Sequence, residues 1–235
     1  AAKLADYDND GRVDLFVSNG MARDFNNSDI TFTPQDQIGK SEWDHYENAP
    51  TKPEQNLAFR NIGDLQFTNV SKDWGLDHVG MSYASAHGDF DQDGDLDLLV
   101  VNLDEPVSIY RNDSISGHSA VVTLRGSESN RNGIGAFVEI LAGDLKHARH
   151  SVPLSGYLSN NENTLHFGLG EADAIQSLKV RWPNGGVQEF TDLPVNKNIV
   201  ILEDSSALKP YSPAKQSPMF VKYTGLRGII HKEKI

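Results

Sequence analysis

The sequence predicts an all-β protein built as two successive β regions, and three observations carry that expectation. Short runs rich in Val, Ile, Leu and Phe recur between turns of Gly, Asn, Asp and Pro along most of its 235 residues. An aspartate-rich loop that enters such a run occurs twice, as DYDNDGRVD (6–14) and DFDQDGDLD (89–97). From Gly117 the character changes to a compact series of alternating strands.

The two loops align residue by residue. Asp6, Asp8, Asp10, Gly11 and Asp14 match Asp89, Asp91, Asp93, Gly94 and Asp97. Each loop feeds an apolar run and then Asn19 or Asn102, and LAFRN (57–61) matches SIYRN (108–112). Asp14 and Leu57 lie 43 positions apart and Asp97 and Ser108 only 11, because the first copy carries a long polar insertion, residues 20–55. This is one supersecondary unit repeated.

The spacing points to a cation. Carboxylates at positions 1, 3 and 5 of a tight loop converge on one centre, and glycine at position 6 permits the turn. The residue after it offers a backbone carbonyl, and aspartate at position 9 closes the shell. The predicted ligands are therefore Asp6, Asp8, Asp10, Arg12 and Asp14 in one loop and Asp89, Asp91, Asp93, Asp95 and Asp97 in the other, with Arg12 and Asp95 acting through backbone carbonyls. An oxygen-only shell of this kind suits Ca²⁺, so two calcium sites are expected. Unneutralised, two carboxylates at about 5 Å repel by roughly 3 kcal/mol at an effective dielectric near 20. An EF-hand is excluded, since position 12 is Val17 or Val100 where that loop needs Glu, and the flanks read as strands.

The motif DxDxDGxxD followed by a strand resembles the FG-GAP repeat, also called VCBS-type, of integrin-like β-propellers. NLAFRNIGDLQFTNVSKDWGL (56–76) resembles the linking part of such a blade. The resemblance implies four-stranded blades with calcium held between two strands, and residues 1–115 have room for about two of them. The expectation is an open fragment, or a propeller whose other blades lie in a longer parent chain.

Residues 116–204 contain the β-prone runs AVVTLR, GAFVEIL, HARHSV, TLHFGL, SLKVRW, VQEF and NIVILE, with NRNG and PNGG as turns joining neighbouring strands. Alternation in SLKVRW puts Leu178, Val180 and Trp182 on one face and Lys179 and Arg181 on the other. A β-sandwich or barrel-like domain is predicted. RGSESNRNGIGA, HFGLG and VRWPNGGVQ occur in the order of the ASPIC/UnbV domain, which this stretch resembles. Propeller repeats followed by such a domain form a cartilage acidic protein-like architecture of the bacterial secreted type. That resemblance carries no catalytic residues across.

Several features of this region read as structural. Gly133, Gly135, Gly168 and Gly170 are expected to serve backbone geometry. His147 and His150, three apart in a strand, face opposite sides and share no metal. Trp182 reads as a core or strand-end aromatic. Residues 205–235 open as a Pro/Ser linker and continue as MFVKYTGLRGIIHKEKI, which resembles the start of a further propeller-like segment.

Composition bounds the function. Cysteine is absent, which excludes disulfides, thiolate zinc sites and thiol catalysis. No apolar run approaches the roughly 20 residues of a membrane helix. The net charge of −12 concentrates in residues 1–115, where 22 acidic residues oppose eight basic ones, a poor match to nucleic acid. The reading is a non-catalytic, calcium-stabilised module of an extracellular, periplasmic or cell-surface protein that binds a glycan or protein. Trp43, His45 and Tyr46 in the insertion offer a contact surface, and a packed loop anchor is the other reading of these three. The alternative is part of a calcium-dependent polysaccharide lyase or hydrolase.

Overall fold

The computed structural model describes residues 1–24, 38–41, 43–44, 47, 49–114, 116–156 and 159–211. Every named element is a strand, so the all-β expectation holds. In the first region β1 (Ala2–Ala5), β2 (Asp14–Val17), β4 (Leu57–Gly63) and β5 (Gln66–Asn69) form a four-stranded antiparallel sheet in that order. The second copy supplies β7 (Ser82–Gly88), β8 (Asp97–Asn102) and β9 (Ser108–Tyr110), a three-stranded antiparallel sheet. Between them β3 (Glu54–Gln55) pairs with β6 (Val79–Gly80).

Register repeats with the sequence. Ala5 pairs with Asp14 and Gly88 with Asp97, while Leu15 pairs with Phe59 and Leu98 with Tyr110. Both sheets are open, and the described residues close no propeller. The insertion is fastened at its base, where Met21 and Lys52 exchange two backbone hydrogen bonds of 2.9 Å. Trp43 is exposed and donates through Nε1 to Glu47, whereas His45 and Tyr46 lie outside the described residues.

All seven strands expected in the second region form. They are β10 (His118–Arg125), β11 (Phe137–Ala142), β12 (Leu145–His150), β13 (Leu165–Gly170), β14 (Ala174–Arg181), β15 (Gly186–Pro194) and β16 (Lys197–Leu202), followed by a short β17 (Lys209–Pro210). They divide into a sheet ordered β13-β10-β16 and a sheet ordered β12-β11-β14-β15-β17. Both contribute to one core: Val122, Leu124, Phe167 and Ile201 from the first meet Val138, Ile140, Leu178 and Val180 from the second.

Trp182 is buried in this core and donates to Gln188 Oε1 at 2.6 Å. PNGG joins the paired strands β14 and β15 as expected. NRNG does not join hydrogen-bonded neighbours, because β10 and β11 fall in different sheets. The turn there carries the chain across the core.

The segment MFVKYTGLRGIIHKEKI lies outside the described residues. Among the described residues no helix is long and apolar enough to cross a membrane.

Candidate metal centre

Position 4 of each loop, Asn9 or Gln92, adopts a left-handed backbone (φ 56° and 65°), and position 6, Gly11 or Gly94, follows at φ 86° and 98°. These reversals fold positions 1, 3 and 5 inward. Ligand atoms of Asp6, Asp8 and Asp10 all lie within 4.8 Å of one another, and those of Asp89, Asp91 and Asp93 do the same. The Gly11 amide donates to Asp6 Oδ2 at 2.9 Å and the Gly94 amide to Asp89 Oδ2 at 3.1 Å. Arg12 and Asp95 donate their amides to Asp10 and Asp93 at 2.8 and 3.0 Å.

Position 9 is held by the sheet. Asp14 accepts the Tyr7 amide at 3.0 Å and the Asn61 amide at 2.8 Å, one on each oxygen. Asp97 accepts the amides of Phe90 and Asn112, both at 2.8 Å, in the same way. These residues therefore tie the loop's entry to the returning strand, and each oxygen keeps a second lone pair for a cation.

The first loop contains an unbalanced group. Asp6 is 2% exposed, and its Oδ1 is buried with no hydrogen-bond partner among the described residues. Burial, then the charges of Asp14 and Asp10, push its carboxyl up to about 8. Asp14 rises to about 6, chiefly through burial. A cation at Oδ1 satisfies the orphaned oxygen and offsets the repulsion, so these residues fit Ca²⁺. The second loop is more open, with Asp91 and Asp93 exposed, while Asp95 is raised to about 6 by burial and by Asp93.

Both loops abut the second region. The Gly170 amide donates to Asn9 O at 2.9 Å, Ser116 Oγ donates to Asp8 O at 2.9 Å, and His166 Nε2 lies 2.9 Å from Gly94 O. The loops also join each other, Asn9 Nδ2 donating to Asp95 Oδ1 at 2.6 Å. Gly168 is required for close approach, because a Cβ there would stand 1.9 Å from Asp6 Oδ2.

Leu145 and His147 on one face of β12 lie against Gly11, while His150 on the other face is exposed, so the two histidines are divided as expected. Lys3 adds a further tie: it is fully buried in β1 and donates to Ser155 O and, at 3.2 Å, to Asn161 Oδ1.

One anchor was not read from the sequence. Glu203, 5% exposed, accepts the amides of Ser127, Glu128 and Ser129 at 2.7–2.9 Å, as well as Ser129 Oγ and Asn184 Nδ2. Burial raises its carboxyl, but these donors outweigh burial and hold it below the usual range. The signal is the RGSESN loop, whose small polar residues free successive amides to wrap an anion.

Residues 126–208 match the family model described as ASPIC and UnbV, a span that covers most of the second region. The chain is 24% identical over 219 residues to cartilage acidic protein 1 of Homo sapiens and 25% identical to that of Mus musculus. Those alignments cover 92% of this chain but only 28% and 29% of the relatives, so the chain spans under a third of their length.

Proposed function

We propose that the chain is a calcium-stabilised, non-catalytic binding module of an extracellular, periplasmic or cell-surface protein, with a glycan or a protein as its partner. The observation that carries this reading is the buried, unpartnered Asp6 Oδ1 within a carboxylate cluster whose backbone geometry recurs in a second loop. Calcium would be held by Asp6, Asp8 and Asp10 with the Arg12 carbonyl and Asp14, and by Asp89, Asp91 and Asp93 with the Asp95 carbonyl and Asp97.

Bound calcium supplies positive charge where the fold concentrates carboxylates, so loop folding becomes linked to the ion. Both loops lie against the second region, and calcium would therefore stabilise the joint between regions as well as each sheet. The four-stranded meander β1-β2-β4-β5 and its three-stranded copy are read as propeller blades on this proposal. An extracellular place agrees with likeness to a protein named for cartilage.

The test is a panel of soluble polysaccharides incubated with the protein in calcium and in EDTA, reading retention and released products. Calcium-dependent retention without products is expected. Shortened or unsaturated products would replace this reading with a lyase or hydrolase. The calcium role has its own check: Asp8→Ala and Asp91→Ala should lower the melting temperature in calcium and change little in EDTA.

A further inference from the structure

Between the two sheets of the first region lies a cavity of about 380 Å³. That is within the roughly 300–1,000 Å³ range of small-ligand sites. Its floor is apolar, formed by Leu76 from the first copy and Leu96 and Leu98 from the second, all buried. Three aromatic rings wall it: Tyr7, Trp74 and Tyr110. Tyr7 and Trp74 meet edge to face, with centroids 6.4 Å apart at 66°, so together they form a corner around the cavity.

Tyr7 is 7% exposed, yet its hydroxyl is buried with no hydrogen-bond partner among the described residues. The hydroxyl is closed off from the cavity, so Tyr7 lines it with its ring. The rim is polar, with Asp8, Arg111, Asn112, Asp113 and Ser114.

We propose that this cleft binds one pyranose unit of a neutral saccharide in β-gluco configuration. Such a ring presents only C–H bonds on its two faces, which suits aromatic walls and an apolar floor, while its equatorial hydroxyls project outward to a polar rim. Charge argues against an acidic sugar. Arg111 is already forked onto Asp113, with Nε 2.7 Å from Oδ1 and a terminal nitrogen 3.1 Å from Oδ2. Asp8 is held by Arg60, whose Nε lies 2.5 Å from its Oδ2, so among the described residues the rim offers no unpaired cation to a uronate. This inference deepens the glycan side of the proposed function and rests on that reading for its ligand class.

The experiment titrates cellobiose into the isotope-labelled full chain in calcium and follows the indole N–H signals. The chain has three tryptophans, Trp43, Trp74 and Trp182, of which only Trp74 lines the cavity. The Trp74 signal is expected to shift and saturate, while those of Trp43 and Trp182 stay in place.

Tyr110→Leu should weaken cellobiose by about three- to tenfold, one aromatic wall's worth. The variant is expected to fold, because Tyr110 is only partly buried at the edge of the core and leucine keeps an apolar side chain there. The proposal is overturned if Trp74 does not respond at tens of millimolar cellobiose, or if Tyr110→Leu binds as tightly as the parent. It is equally overturned if the shifts fall on Trp43 or Trp182. Melting of the same samples in calcium and EDTA judges the calcium role separately. A protein indifferent to EDTA that still shifts Trp74 would lose that role and keep this cleft.

Discussion

Arg60 Nε lies 2.5 Å from Asp8 Oδ2, and a terminal nitrogen of the same guanidinium lies 3.4 Å from Asp10 Oδ2. Its counterpart in the second copy, Arg111, turns instead to Asp113. The divergence follows from one position: two residues after the arginine stands Asp113 in the second copy but Ile62 in the first. With no local carboxylate available, Arg60 reaches the loop, where its charge partly compensates the cluster that calcium would occupy. The two sites should therefore differ.

Arg60→Ala is expected to raise calcium affinity at the first loop by about tenfold, the equivalent of roughly 1.4 kcal/mol. Asp113→Ala should release Arg111 toward Asp91 and Asp93 and weaken the second loop by a similar factor. Calorimetric titration of the two variants measures both. Unchanged constants in each would mean that these arginines lie outside the competition for the sites.

On the proposed function, Asp6 would make calcium binding a proton-coupled event. Its carboxyl is raised to about 8, so at pH 7 the metal-free loop holds this group mostly protonated, while a bound cation requires the carboxylate. Binding at pH 7 should release close to one proton from the first loop, and apparent affinity should climb between about pH 6 and 8. Titration in buffers of different ionisation heat counts the protons. No release would mean that Asp6 is already ionised without metal.

Gly168→Ala tests the joint between the regions. The new Cβ would fall 1.9 Å from Asp6 Oδ2 and 2.8 Å from Asn9 Cα, so the second region must shift or the first loop must open. A loss of about 2 kcal/mol or more is expected, in the range of core overpacking. The first loop's calcium response should fall with it, while the second loop, which contacts Ser119 and His166, keeps its own. Two calcium titrations, of the parent and of the variant, show whether one site is lost or both persist.

The sequence carried the loops and the strands further than the joint. Aspartate spacing located positions 1, 3 and 5, because a nine-residue turn fixes its own geometry. Position 9 was harder. The amides that engage Asp14 and Asp97 include those of Asn61 and Asn112, 47 and 15 residues away, and such partners leave no local pattern.

The second region followed the same division. Its strands were legible from alternation, but the parallel pairing of β10 with β16, Ala120 opposite Lys197, is a tertiary outcome. Gly168 read as a backbone-geometry glycine, whereas its role comes from the Asp6 carboxylate that lies against it. Glu203 had no periodicity to mark it, and only the folded RGSESN loop shows why a carboxylate sits there.

His166 sets the expected acid limit of this joint. Burial lowers its pKa to about 4, and Arg149 adds to this, although its hydrogen bond to Gly94 O works the other way. His87 is lowered to about 4 as well, by burial and by Lys3 and His166 nearby. The unfolded chain titrates near 6.5, so between about pH 6.5 and 4 it binds more protons than the folded one. Stability from these groups is thus complete above about pH 6.5 and is lost as the pH falls toward 4. Asp6 acts with the opposite sign when metal-free, since its raised pKa favours the folded state on acidification. His166→Gln retains a donor for Gly94 O without the titration. Its stability curve should be shallower than the parent's across this window, by up to about 3 kcal/mol in total change. Denaturant unfolding at stepped pH values gives both curves. Parallel slopes would remove His166 from the acid transition.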